Sequence, residues 1–134
     1  MSEKWYILQI KANSHHLAVK NLNQQGFETF LPTYNKTARK GSQFINATQP
    51  LFSGYMFVRF DKEKSKWHKV NNTYGVSRLV TFNSAIKSVP NIIINSLIER
   101  CDSSGKLLPM KQLKTGDFHY NYYKVALMNR KTKS

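Results

Sequence analysis

The chain has 134 residues, 40% of them hydrophobic and 13% aromatic. That is the composition of one folded domain and excludes wholesale disorder. Its 21 Lys and Arg against 7 Asp and Glu leave a formal charge of +14, a field that favours polyanions, with nucleic acid or a nucleoprotein machine first. The one cysteine, Cys101, allows no intrachain disulfide and suits a reducing, cytoplasmic compartment. Met1-Ser2-Glu3-Lys4 lacks a secretory h-region, and no apolar run reaches the about 18 residues of a membrane span, so no membrane partner is expected.

In chain order, Trp5 to Ile10 reads as a strand apolar on both faces. Asn13 or Ser14 can cap a helix running to about Gln25, with Gly26 suited to the left-handed position that ends it. Ala18, Val19 and Leu22 form its inward stripe, and His16, Lys20 and Asn23 its outer one. Phe27 to Leu31 is a second strand, stopped by Pro32. Tyr34 to Gln49 then carries Lys36, Arg39, Lys40 and Gly41 at its centre, the pattern of a projecting basic hairpin.

After Ser53-Gly54, Tyr55 to Phe60 is a strand with Tyr55 and Phe57 on one face and Met56, Val58 and Phe60 on the other. A second apolar face must be covered by something, and a partner is one candidate. Asp61 caps a short helix that turns Trp67 and Val70 inward and Lys62, Lys66 and Lys69 outward. Gly75 precedes a strand from Val76 to Phe82. Pro90 opens a helix to about Cys101 whose buried stripe is Ile94, Leu97, Ile98 and Cys101. The order βαβ, hairpin, βαβ, helix predicts an α+β, ferredoxin-like or RNP-like antiparallel sheet flanked by helices.

Phosphate-binding, dinucleotide and nucleophile motifs are absent from the sequence. The four histidines stand at no metal-ligand spacing from a cysteine or carboxylate, and the few acids form no cluster. The chain therefore reads as a binding module with no catalytic residues, cofactor or metal. Alone, Gly54-Tyr55-Met56-Phe57-Val58-Arg59-Phe60 looks like the RNP1 motif of single-stranded RNA-binding domains, in which alternating aromatics stack on bases. Ser53 and Met56 depart from that motif. A nonspecific basic nucleic-acid binder is the other alternative.

Several ordered blocks together resemble the N-terminal domain of the NusG family. They are Trp5-Tyr6, Gln25-Gly26-Phe27-Glu28 into Phe30-Leu31-Pro32, and Pro50 to Val58. Asn72 to Val80 and the Val89-Pro90 helix start complete the set. The resemblance spans about residues 4 to 117 and is nearest to RfaH-type specialised paralogues. It implies a transcription elongation and antitermination factor that docks on the clamp helices of the largest RNA polymerase subunit, suppressing pausing or termination. By position, Phe52, Tyr55, Phe57, Phe82 and Ile94 would line the clamp-binding depression. Lys66, Trp67 and His68, with Lys69, would face the gate loop of the other large subunit, where RfaH-type members carry His-Thr-Thr-Thr. Non-template DNA in the elongation complex would meet Lys11, Thr73 and Tyr74, with His16, Lys20 and Arg78 placed to hold phosphates. Leu17 and Asn21 also match DNA-reading positions of the family but differ from its residues, as does Tyr74.

Family members continue beyond a Gly-Asp step into a KOW barrel. Here Thr115-Gly116-Asp117 leads instead into an aromatic and basic tail. The expected organisation is a NusG N-terminal-like domain over 1–117 and a poorly ordered tail over 118–134, without a KOW barrel. Such a chain would be a monomer without coupling to ribosomal protein S10 or Rho.

Overall fold

The computed structural model describes residues 3–108. The expected tail at 118–134, and the domain boundary at 117, lie outside the described residues. Strands and helices alternate as β1 (Lys4–Ile10), α1 (His15–Gln24), β2 (Glu28–Phe30), β3 (Thr33–Lys40), β4 (Gln43–Pro50) and β5 (Tyr55–Phe60). A 3-10 helix (Ser65–Asn72) follows, then β6 (Val76–Leu79), β7 (Thr81–Phe82), β8 (Ala85–Ile86) and α2 (Asn91–Glu99). The α+β, antiparallel expectation holds. The described residues divide into two compact units, one of 3–31 and 53–94, the other of 32–52 and 95–108.

The first unit is built on a four-stranded antiparallel sheet in the order β2-β5-β1-β6. Its central strands β1 and β5 are runs of β-branched, aromatic and aliphatic residues at both parities, buried on both faces, while the edge strands β2 and β6 expose polar residues. Tyr6, Leu8 and Ile10 of β1 join Met56, Val58 and Phe60 of β5 in one core with Ala18 and Leu22 of α1 and with Val70. Tyr6 stacks on Phe60 at 4.2 Å and Trp67 lies parallel to Phe60 at 5.7 Å. Gly26 ends α1 with φ of +92°, as its sequence position predicts. The cap at the other end differs from expectation: Ser14 makes no side-chain bond to the helix, and its Oγ donates to the Ala12 carbonyl instead.

Three expectations are corrected. The strand from Val76 to Phe82 is broken at Val80, whose N–H donates to the Ile7 carbonyl, and the chain then forms the short β7–β8 hairpin. Asn83 and Ser84 at its tip both have positive φ, the backbone twist that a two-residue hairpin requires. The segment after Asp61 is a 3-10 helix starting at Ser65, while Asp61 accepts the Glu63 N–H in a local turn. Finally, α2 buries Ile93, Ile94 and Leu97, leaving Ile92 and Ile98 exposed. Cys101 lies beyond the helix end, bridged to Leu107 and only half-buried.

In the second unit β3 and β4 pair in register over their full lengths, from Thr33–Pro50 to Lys40–Gln43. Gly41, with φ of +65°, makes the turn. Leu51 N–H donates to the Pro32 carbonyl at the base of this ribbon. The segment after α2 extends the same unit: Thr33 N–H donates to Gly105, and Leu107 N–H donates to Thr33. Asp102 organises that segment by accepting from the Ser104 and Lys106 N–H groups and from the Ser104 hydroxyl. These three bonds hold its carboxyl below the usual range, led by the Ser104 hydroxyl.

Candidate functional site

Two surfaces of the first unit carry the residues singled out in the sequence. One is the sheet face opposite α1. Register places Tyr55 opposite Gln9, Phe57 between Ile7 and Phe30, and Arg59 between Trp5 and Glu28. All of these share one face, because directly paired residues point the same way. Trp5, Ile7 and Phe30 are buried, Tyr55 is 6% exposed and Phe57 1%. Phe57 stacks on Phe30, which meets the Trp5 ring edge-on at 6.3 Å. The second apolar face is thus closed within this chain. Arg59 ends the stripe in an ion pair with Glu28 at 3.0 Å and a looser one with Glu3 at 3.8 Å.

Of the expected clamp-binding set, Tyr55 and Phe57 lie on this face and Ile94 is buried in α2. Phe82 is half-buried on β7. Phe52 is buried in the second unit. Of the gate-loop set, Lys66, His68 and Lys69 are exposed, whereas Trp67 is half-buried and packed on Phe60 and His68. Trp67 is a core residue first.

The other surface is the meeting of α1 with the loop from Thr73 to Gly75. Gly75 sits so close to α1 that a β-carbon there would fall 2.7 Å from the Ala18 nitrogen and 2.9 Å from the Ser14 carbonyl. Its own carbonyl accepts the Lys11 N–H at 3.0 Å. The Gln25 amide donates both to Asn21 O and to the Thr73 hydroxyl, which in turn donates to Lys69 O. Thr73 is buried and its hydroxyl is engaged in tying loop to helix, so its part here is structural.

That clasp displays Tyr74, 79% exposed, and Leu17, 48% exposed. His16 and Lys20 are exposed on α1 and Lys11 on the connection before it, whereas Arg78, opposite Gln9 on β6, is exposed on the Tyr55 face of the sheet and is not brought to this surface. His15 and His16 have ring centroids 4.5 Å apart. Burial first, and the His16 charge second, hold His15 below its usual value. The exposed Tyr74 and Leu17 are large apolar groups that composition alone did not mark as surface residues. The arrangement sets cations, an imidazole pair and an exposed aromatic ring on one surface. Among the described residues no cluster of three or more His, Cys, Asp or Glu could hold a metal ion, and no helix is long and apolar enough to cross a membrane.

Comparison with known proteins places these features in context. Residues 3–101 match the family described as "Transcription termination factor nusG". Among solved structures, one titled "Domain interaction in Thermotoga maritima NusG" superposes with a TM-score of 0.52 at 19% identity, covering 70% of this chain and 54% of that one. This chain spans about half the length of that structure, and the likeness at this identity is one of fold.

Proposed function

Because the chain belongs to the NusG family of transcription factors, we propose that it binds elongating RNA polymerase at the clamp helices of the largest subunit and suppresses pausing or termination. The observation that carries this reading is the family match across residues 3–101. The mechanism needs no chemistry. A factor bridging the clamp and the gate loop binds the closed polymerase better than the open one, and the population shifts by that difference. Tenfold preferential binding is worth ~1.4 kcal/mol, enough to change a pause lifetime tenfold.

Within the clamp-binding set, Phe82 is the accessible member of the first unit. Tyr55 and Phe57, both buried, would support the clamp-binding depression from within rather than present open rings to it. Lys66, His68 and Lys69 serve the gate-loop contact as cations and imidazole. Lys11, His16, Lys20 and Tyr74 face the non-template strand, with the phosphate contacts adding affinity that falls as salt rises, while Arg78, on the Tyr55 face of the sheet, would not share that contact. An RNP1-type RNA reading on Tyr55 and Phe57 gains no support, because a stacking platform needs an open ring face and both rings are buried.

Single-round transcription with purified polymerase on a template bearing a strong pause tests the proposal. Adding the chain should shorten the pause dwell in a saturable way. An unchanged dwell at concentrations that saturate polymerase binding would refute the antipausing role.

A further inference from the structure

Neither surface of the first unit includes the β3–β4 ribbon, whose composition is unusual even in this basic chain. Between Glu28 and Asp61 the sequence contains no acidic residue. The ribbon carries Lys36, Arg39 and Lys40, all exposed. Its one phenylalanine, Phe44, is 73% exposed and pairs directly with Arg39 across the strands. Paired residues share a face, so an aromatic ring and a guanidinium lie side by side near the tip. The Arg39 Nε donates to the Gly41 carbonyl at 3.1 Å, which fixes the guanidinium over the turn. On the same face, one pair nearer the base of the ribbon, Thr37 and Asn46 are exposed and bond to each other at 2.8 Å through the Asn46 Oδ1, so the Asn46 NH2 takes no part in that bond.

A large exposed ring in water stabilises nothing in the folded chain, and three cations without an acid nearby are not there for ion pairing. Both suit an unpaired base and its phosphates: rings and guanidinium planes stack on bases, and cations hold the backbone. A duplex hides its base faces in the stack, so it would use the charges and waste the ring. The neighbouring Asn46 NH2, on the same face, can also bond a 2′-hydroxyl, the group that separates RNA from DNA. We infer that the tip of the β3–β4 ribbon is a single-stranded RNA-binding site, in which a base stacks on Phe44 while the Arg39 guanidinium beside it holds a phosphate, and Lys36 and Lys40, on the other face of the ribbon, add only to the surrounding positive field.

The inference does not depend on polymerase binding, and its assay contains no polymerase. A fluorescein-labelled 12-nucleotide single-stranded RNA of mixed sequence is titrated with the full chain in moderate salt and read by anisotropy. Phe44→Ala should weaken binding about tenfold, the scale of one lost base stack, while Phe44→Trp should retain it. Arg39→Ala should weaken binding and lower the slope of log K against log salt by ~0.7, as one phosphate contact does on a single strand. Ile45→Ala, a neighbouring exposed apolar residue, should change nothing. Phe44 contributes little to the core, so circular dichroism of the variants should match the parent. The site is overturned if Phe44→Ala binds as well as the parent, since charge alone then explains the affinity. Equal affinity for the same sequence as single-stranded DNA, or for the RNA duplex, overturns the assignment to single-stranded RNA.

Discussion

Phe57 stacks on Phe30 across the β5–β2 pair, ring centroids 5.9 Å apart and planes within 24°, and both rings are buried. Phe57 is thus a structural residue before it is a contact residue. Phe57→Ala should destabilise the chain by about 3–5 kcal/mol, the cost of emptying a large buried site. Urea denaturation followed by circular dichroism checks this. A variant with an unchanged midpoint would show that the ring is not packed as described. Loss of polymerase binding in Phe57→Ala is therefore uninterpretable without that control.

Gly75 and Gly26 have nearly the same backbone angle, φ of +93° and +92°, but different surroundings. Gly26→Ala meets nothing within 4 Å and should cost only the left-handed penalty of ~1–2 kcal/mol. Gly75→Ala adds a collision with the α1 backbone at 2.7 Å, and overpacking contributes a further ~1–3 kcal/mol. Denaturation midpoints of the two variants should differ in that order. Gly75→Ala should also move Tyr74, so its effect on the non-template-DNA binding proposed for this surface should exceed that of Gly26→Ala.

His15 is held below its usual value by burial and then by His16. The folded chain binds that proton less readily than the unfolded one, so the group favours folding above the unfolded value of 6.5. That contribution is lost as pH falls from there through the depressed folded value. Urea midpoints measured at pH 5.5 and pH 7.5 should differ less in His15→Gln than in the parent. An equal difference in both would remove His15 as a contributor.

The Cys101 thiol is pushed up from 9.0 to about 11, by burial first and the Asp102 charge second. The fold therefore favours the neutral thiol, and iodoacetamide, which reacts with the thiolate, should be slow. At pH 8 alkylation of the folded chain should run roughly 100-fold slower than in urea, the ratio that a two-unit difference sets. Asp102→Asn should speed it. Equal rates in folded and unfolded chains would contradict the packing around this residue.

Much of the fold was legible because the sequence repeats its signals. Tyr55 to Phe60 is apolar at both parities, and both faces of β5 are buried. Gly26 after an amphipathic stretch marked the end of α1, and Gly41 within a basic run marked the ribbon. What failed was local competition between signals. The triple Ile92-Ile93-Ile94 fits more than one helical phase, and the helix stops at Glu99 before Cys101 could join a stripe. Asn83-Ser84 was a usable turn signal just beyond a stretch read as one strand. Asp102-Ser103-Ser104-Gly105 likewise announced the turn that follows α2. Burial was the hardest to read: strand alternation put Tyr55 and Phe57 on one face, but only the folded chain tells that the face is closed. The exposure of Phe44 was hidden for the same reason, whereas Leu17 and Tyr74 were marked as surface positions only by the family resemblance.

The central claim is tested most directly by the affinity of the full chain for purified core RNA polymerase, measured by biolayer interferometry at low and high salt. The proposal predicts saturable one-to-one binding that survives high salt, because an apolar helix contact is not screened. It also predicts that Phe82→Ala, with its fold verified, binds at least about tenfold more weakly, the scale of a buried aromatic anchor. Binding that vanishes with salt and ignores Phe82→Ala would contradict it, leaving a basic chain that adheres to polymerase by charge alone.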